Sequence, residues 1–597
     1  MSKSSLHIPL PEQDRQKLSL FELDAKSVRE WKNQLPVTNL GETSRQLYKA
    51  LAELSHVKID GKTRIEVLES LSPIIHQTTK SLSRFYTNQP IALPEKAAQI
   101  AQLSSTLNRL MATGYCQVFV DLEHSSRFIK PKDLMARALY QAINEYCCTL
   151  LRNYKLYRPA SASFWRNLHS VYLAAAANKL EGVKIPEQGN ENGTIELMYA
   201  RALLLSCSRT HQIPQRYIDQ VFFGLRYWSA DALIRHRSLE QCTFLIDPSA
   251  DTPPIYRELS QRAPAPGWLG LDTSRMELTP KALSNKINIT GKQYHMPEAI
   301  LMQLCTAWRS STERASDRIA CNETVQFALG INASHYFIAH GSDFTSFQYE
   351  PGEKQDIVWG EERDIPVDVW GSNNSVDTRD PDADPFAKGN REHLIEEIDY
   401  SLPVANDHSP KSATKSDTSY QTLSLKALDY SPTGFRLEWP DDGSQNIRTG
   451  EVIAVKSEQY DNWRLGTVRW LRSDASHQFG VQIFSSDCEP CSACLVQSGL
   501  SNRDYQRAFL LPAASDGTPQ RILLTGIAGF EEGRTLEIQQ NGFTSRIRLI
   551  ESLENQIAYK LFSYRDLQPA QVYAGKEAPK EGKTEDEDQF HKLWDIL

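Results

Sequence analysis

Arg314 and Arg318 stand four positions apart in the run Arg314-Ala315-Ser316-Asp317-Arg318, directly ahead of a strand-like stretch from Ile319 to Leu329. A guanidinium is a planar fork of donors that pairs with phosphate oxygens or with O6 and N7 of guanine, so two on one short loop can clamp both kinds of group. Far downstream, Asp429-Tyr430-Ser431-Pro432-Thr433-Gly434 joins two further strand-like stretches. Here Asp429 can accept from paired N–H donors, Ser431 can hydrogen-bond through its hydroxyl, and Gly434 permits a sharp turn with close backbone approach. Arg309, just upstream, is a candidate for one more phosphate contact.

These two strings resemble the paired RxxxR and (D/N)xSxxG signatures of the PilZ family. Trp463-Arg464-Leu465-Gly466-Thr467-Val468-Arg469-Trp470 resembles the family's late strand ending in a Val-x-Trp element, and Gly480-Val481-Gln482-Ile483-Phe484 its closing GVxF-type strand. The resemblance covers Trp308 to Gly330 and Leu423 to Ser485, a minority of the chain. It implies a six-stranded antiparallel β-barrel that binds c-di-GMP through Arg314, Arg318, Asp429, Ser431, Gly434 and Arg309. It further implies a sensor or adaptor, not an enzyme, that relays the ligand to an unidentified protein effector, with motility, pilus or biofilm output. The alternative is a degenerate PilZ scaffold that binds protein and no nucleotide, with Arg314 and Arg318 held in internal salt bridges to Glu313 or Asp317.

The elements that must hold these residues follow from length and pattern. At 597 residues the chain exceeds what one hydrophobic core sustains, about 250 to 300 residues, so several domains are expected. From residue 19 to 238 the apolar spacing is helical: Leu47, Leu51 and Leu54 form one stripe and Ile100, Leu103, Leu107 and Leu110 another. Ser19 and Glu22 have capping-box spacing, Pro94 precedes a helical run, and Gly61, Pro73 and Gly114 read as breaks in an irregular bundle or short solenoid. Residues 239–300 carry many breakers and read as a connecting region with two strands. After Tyr420 the period becomes two, as in Leu423, Leu425, Ala427 and in Phe435, Leu437, Trp439.

The expected fold class is therefore α+β and multidomain: a disordered start (1–18), a helical domain (19–238), the connection (239–300), a PilZ-like barrel split into 301–340 and 420–487, and a small second β unit (505–567). Residues 341–419, rich in Asp, Glu, Pro, Gly, Asn and Ser, read as an acidic flexible insertion between the barrel's first two strands. Asn541-Gly542 marks a hairpin turn in the second β unit. Residues 576–597 form a charged tail whose Phe590, Leu593, Trp594, Ile596 and Leu597 suggest a terminal amphipathic turn.

Several function classes are excluded or set aside. A net charge of −8 repels polyanions at long range and argues against binding nucleic-acid polymers, so an anionic ligand needs a local basic pocket. No apolar run approaches the roughly 18 residues of a membrane span and the N-terminus lacks a secretory apolar stretch, which places the protein in the cytoplasm. Cys488, Cys491 and Cys494 have metal-like spacing without a fourth ligand, and Asp380, Asp382 and Asp384 lack the Gly and Glu of a calcium loop, so no metal or cofactor is expected. No nucleophile elbow and no signature of enzymes that make or degrade c-di-GMP occurs, so no catalytic residue is assigned.

Overall fold

A computed structural model describes residues 5–125, 130–186, 192–288, 296–311, 317–345, 420–441, 445–458, 460–496, 504–513, 517–527, 529–540 and 543–571. Its first part is helical: α1 (Ala25–Asn33), α2 (Leu40–Leu54), α3 (Gly61–Ser83), α4 (Glu95–Glu123), α5 (Lys132–Lys155), α6 (Phe164–Ala177), α7 (Ile195–Cys207) and α8 (Gln215–Trp228). The stripe Leu47, Leu51 and Leu54 is buried along α2, as its spacing demands.

Three local readings change in the folded chain. The first helix begins under Asp24, whose Oδ1 accepts from the amides of Lys26 and Ser27 at 2.9 Å, while Ser19 gives its amide and hydroxyl to Glu53, both at 2.8 Å. A carboxylate from another helix has taken the place of the expected capping box. Neither Pro73 nor Gly114 breaks its helix: Pro73 lies inside α3 and Gly114 inside α4. A Cβ at Gly114 would stand 3.0 Å from both terminal carbons of Leu68, so the glycine lets α4 close on α3, and this packing outweighs propensity costs of about 1 and about 3 kcal/mol for glycine and proline.

The connection is more ordered than its breakers suggest. A small hairpin, β1 (Ile185–Pro186) with β2 (Asn192–Gly193), is followed by an antiparallel sheet of β3 (Leu233–Arg235), β4 (Phe244–Ile246), β5 (Ile255–Tyr256) and β6 (Leu269–Asp272) in the order β3-β6-β4-β5. Next come α9 (Pro280–Asn288) and α10 (Glu298–Arg309), which join the helical core and not the barrel. Trp308 fixes α10 there: its indole lies 5.5 Å from that of Trp228, and its Nε1 donates to Leu204 O and Ser208 Oγ, both at 3.2 Å.

The first barrel closes from β7 (Ile319–Leu329), β8 (Leu423–Ser431), β9 (Gly434–Trp439), β10 (Val452–Lys456), β11 (Arg464–Ser473) and β12 (His477–Ser485). Phe327, Leu425, Ala427, Phe435, Leu437, Trp439, Phe479 and Val481 fill it, every second residue of their strands. The short α11 (Ile331–Ile338) follows β7, and residues 346–419, where the acidic insertion was expected, lie outside the described residues.

The second β unit is a complete barrel and starts earlier than expected, with β13 (Glu489–Leu495), β14 (Gln506–Leu511), β15 (Arg521–Thr525), β16 (Thr535–Gln540), β17 (Phe543–Asn555) and β18 (Tyr559–Gln571). Its opening strand was hidden because Cys491, Ser492, Ala493 and Cys494 are small and all buried, leaving no apolar alternation to read. The expected turn at residues 541–542 and the tail from 572 lie outside the described residues. Both barrels follow one circuit: counting strands one to six along each, neighbours run 1-2-3-6-5-4 and back to 1, all antiparallel. The second barrel is thus a topological repeat of the first.

A shared core joins them. Ala328, Val452, Ala454 and Leu465 on the outside of the first barrel pack with Ala333 and Ile338 of α11 and with Phe509, Leu511, Leu523, Tyr559 and Leu561 of the second. This explains why Val452-Ile453-Ala454-Val455 is apolar without alternation, since β10 is covered on both faces.

Candidate functional site

The strand register brings the two sequence signatures together. Ile319 pairs with Tyr430 and Ala320 with Asp429, so Arg318, one residue before β7, arrives beside Asp429. Its Nη1 donates to Asp429 Oδ1 at 2.5 Å. On the other side Asp429 pairs with Arg436 of β9, whose Nε lies 2.7 Å from Asp429 Oδ2. One carboxylate therefore holds two guanidiniums, Arg318 through a charge-assisted hydrogen bond and Arg436 through an ion pair.

The turn after Asp429 is tight and fixed. Ser431 pairs with Gly434 around Pro432-Thr433, and Arg464 Nη2 donates to Pro432 O at 2.7 Å while its guanidinium stacks 4.4 Å from the Tyr460 ring centre. Burial pulls the Arg464 pKa down, with Tyr460 opposing that shift. A Cβ at position 434 would sit 2.2 Å from Val481 O, so glycine is needed for the approach of β9 to β12.

The neighbouring wall comes from β11 and β12. The register slips between Val468 and Trp470, leaving Arg469 as an extra residue, and this bulge lets Arg469 and Trp470, consecutive in sequence, line the same cavity. Trp470 lies over Gly480, where a Cβ would be 1.9 Å from the indole Nε1. Arg469 bonds Gln482 through Nε, and its Nη2 reaches Glu554 of the second barrel at 3.2 Å.

These walls face the helical domain across a cavity of about 980 Å³. Tyr154, Tyr157, Arg158 and Pro159 at the end of α5, with Thr210, His211 and Gln212, form its far side. The junction is held by Ser473 N donating to Tyr157 O at 2.9 Å, and by Ile91 and Tyr157, which pack against the barrel core. Among the described residues the lining contains five arginines (158, 318, 436, 469, 472) and one carboxylate, Asp429. On a chain of net negative charge this is the local basic pocket an anionic ligand requires.

Of the residues singled out from sequence, Arg318, Asp429 and Ser431 line the cavity, and Gly434 shapes its edge. Arg314 lies outside the described residues. Arg309 is placed elsewhere, ending α10 with its Nη2 on Leu278 O at 2.9 Å. Sequence reasoning missed Arg158, His211, Arg436, Arg469 and Arg472. Arg436 had a readable signal, an outward position between Phe435 and Leu437, whereas Arg469 depends on a bulge and Arg158 and His211 on domain docking.

Among the described residues, His76, Glu145 and Cys148 form a cluster of metal-ligand types. Glu145 is already satisfied, by His76 Nε2 at 2.8 Å and Asn108 Nδ2 at 2.7 Å, with Arg152 Nη2 donating to Asn108 Oδ1 at 2.7 Å. This is a saturated buried network that ties α3, α4 and α5 together. Cys491 and Cys494 lie along β13, and burial pushes the Cys491 thiol far above its ordinary range.

Comparison with known proteins gives one consistent result. Three family descriptions match in succession: "Cyclic-di-GMP receptor FimW, N-terminal domain" over residues 26–238, "Cyclic-di-GMP receptor FimW, middle PilZ domain" over 243–490, and "FimW C-terminal beta-barrel domain" over 491–567. The chain is 27% identical over 620 aligned residues, covering 99% of both chains, to the cyclic-di-GMP receptor FimW of Pseudomonas aeruginosa. No solved structure matches.

Proposed function

We propose, the chain being a member of the PilZ c-di-GMP receptor family, that the arginine-lined cavity between barrel and helical domain is where this protein binds c-di-GMP. Arg318 and Arg436 supply forks for phosphate or guanine edges, and Ser431 adds a hydroxyl. The carboxylate of Asp429 aims both forks and keeps lone pairs for guanine N–H donors. Arg314, the first arginine of the signature, is the further fork that the family resemblance implies.

The observation that carries this reading is the convergence of Arg318, Asp429 and Ser431, widely separated in sequence, on one cavity with four further arginines. The protein acts as a receptor that leaves its ligand unchanged, works in the cytoplasm and relays occupancy to a protein effector. No helix among the described residues is long and apolar enough to cross a membrane.

Calorimetric titration of c-di-GMP into the full chain, with GTP and c-di-AMP as controls, tests it. Saturable micromolar or tighter binding that Arg318→Ala and Ser431→Ala remove supports the receptor, and no heat at any concentration refutes it. The second reading, a scaffold without nucleotide, draws on Arg318 already having an internal partner. That partner is Asp429, itself a signature residue, which fits a preset site better than a disabled one.

A further inference from the structure

The cavity's cations are not all on the barrel. Arg158 follows α5 in the corner that Ser473 N grips through Tyr157 O; it lines the cavity together with Arg472 of β11 and lies near His477 of β12. Its guanidinium has no hydrogen-bond or ion-pair partner among the described residues. His211 stands in the same wall beside Arg472.

The electrostatics of this corner are unbalanced. Desolvation, then the Arg209 and Arg472 cations, lower the pKa of His211; desolvation likewise lowers His477, with Arg158 adding to the shift and Asp441 opposing it. The acids within reach among the described residues are exposed: Asp474 is 3.0 Å from Arg472 with both side chains about half exposed, and Asp441 is 3.5 Å from His477 and almost fully exposed. Like charges converging in a concave site repel one another until an anion joins them, and such a site concentrates anions. Asp429, paired with Arg318 and Arg436, marks a separate end of the cavity.

We propose that Arg158, Arg472 and His211 form a second anion subsite, built across the domain junction, that takes one phosphate of the cyclic dinucleotide while the Arg318–Asp429 end takes the rest. This rests on the receptor reading above and deepens it, for the ligand then bridges barrel and helical domain. An occupied cavity is a tighter junction, because the Arg158 corner and the end of β11 share a bound group in place of mutual repulsion.

The test is titration of c-di-GMP into full-length Arg158→Ala, Arg472→Ala and Arg318→Ala proteins at several salt concentrations, with melting curves to verify folding. Hydrogen exchange of peptides covering residues 154–158 and 470–475 is measured at saturating ligand. The expected result is a loss of affinity of roughly tenfold to hundredfold in Arg158→Ala and Arg472→Ala. Their binding should also depend less on salt, and ligand should slow exchange in both peptides of the wild type but not at 154–158 in Arg158→Ala. Unchanged affinity and salt dependence in Arg158→Ala, while the wild type binds and Arg318→Ala does not, overturns the subsite and leaves the receptor reading intact. No binding by the wild type overturns both.

Discussion

Arg318 and Asp429, separated by 111 positions in the chain, meet at 2.5 Å on the rim of the arginine-lined cavity. The contact orients the guanidinium before any ligand arrives, which lowers the ordering cost of binding. It also means that the charge of Asp429 is part of the site even where the residue touches no ligand.

Asp429→Asn keeps the shape and removes the charge, leaving Arg318 and Arg436 without their shared anion. If Asp429 both aims the forks and accepts from guanine, c-di-GMP affinity falls by about 1.5 to 3 kcal/mol, the range for hydrogen bonds to charged groups. Calorimetry on the variant gives the value, and unchanged affinity would refute the role.

The two glycines that face β11 and β12 separate fold from site. Gly434→Ala drives a Cβ into the Val481 carbonyl, a backbone atom that cannot swing aside, so about 1 to 3 kcal/mol of stability should be lost. In Gly480→Ala the clash is with the Trp470 side chain, which can move, so ligand binding should suffer more than the melting temperature. Thermal melts and titrations on both variants read the contrast.

Trp308 anchors the helix that delivers the chain to the arginine segment. Trp308→Ala removes a fully buried indole, its two hydrogen bonds and its contact with Trp228, a change expected to cost about 3 to 5 kcal/mol. Urea unfolding followed by tryptophan fluorescence measures it.

Acid should destabilise the protein through two buried histidines. Burial pushes His169, in the helical domain, and His335, between the barrels, each down to about 4. The unfolded chain takes up these protons near pH 6.5 and the folded chain does not, so stability is whole above that pH. It falls toward pH 4 by about 1.4 kcal/mol per pH unit for each group. Denaturant titrations from pH 7.5 to 5 should show that slope, reduced in His169→Gln and in His335→Gln.

The sequence by itself determined the fold class, the helical first half, most strands of the first barrel and three of the cavity residues. Periodicity and short signatures are local properties, and Ile319 to Leu329, Leu423 to Ser431 and Phe479 to Phe484 carry them in full. The same local reading placed Ser19 as a helix cap and Gly114 as a helix break, because it could not see Glu53 and Leu68 arriving from other helices. Only the tertiary structure decided that residues 489–571 repeat the first barrel's circuit, since strand order is a matter of pairing between distant segments. It alone placed Arg158, Arg469 and Arg472 on the cavity. Their positions depend on how the helical domain docks and on one extra residue in β11, neither of which leaves a periodic trace in the chain.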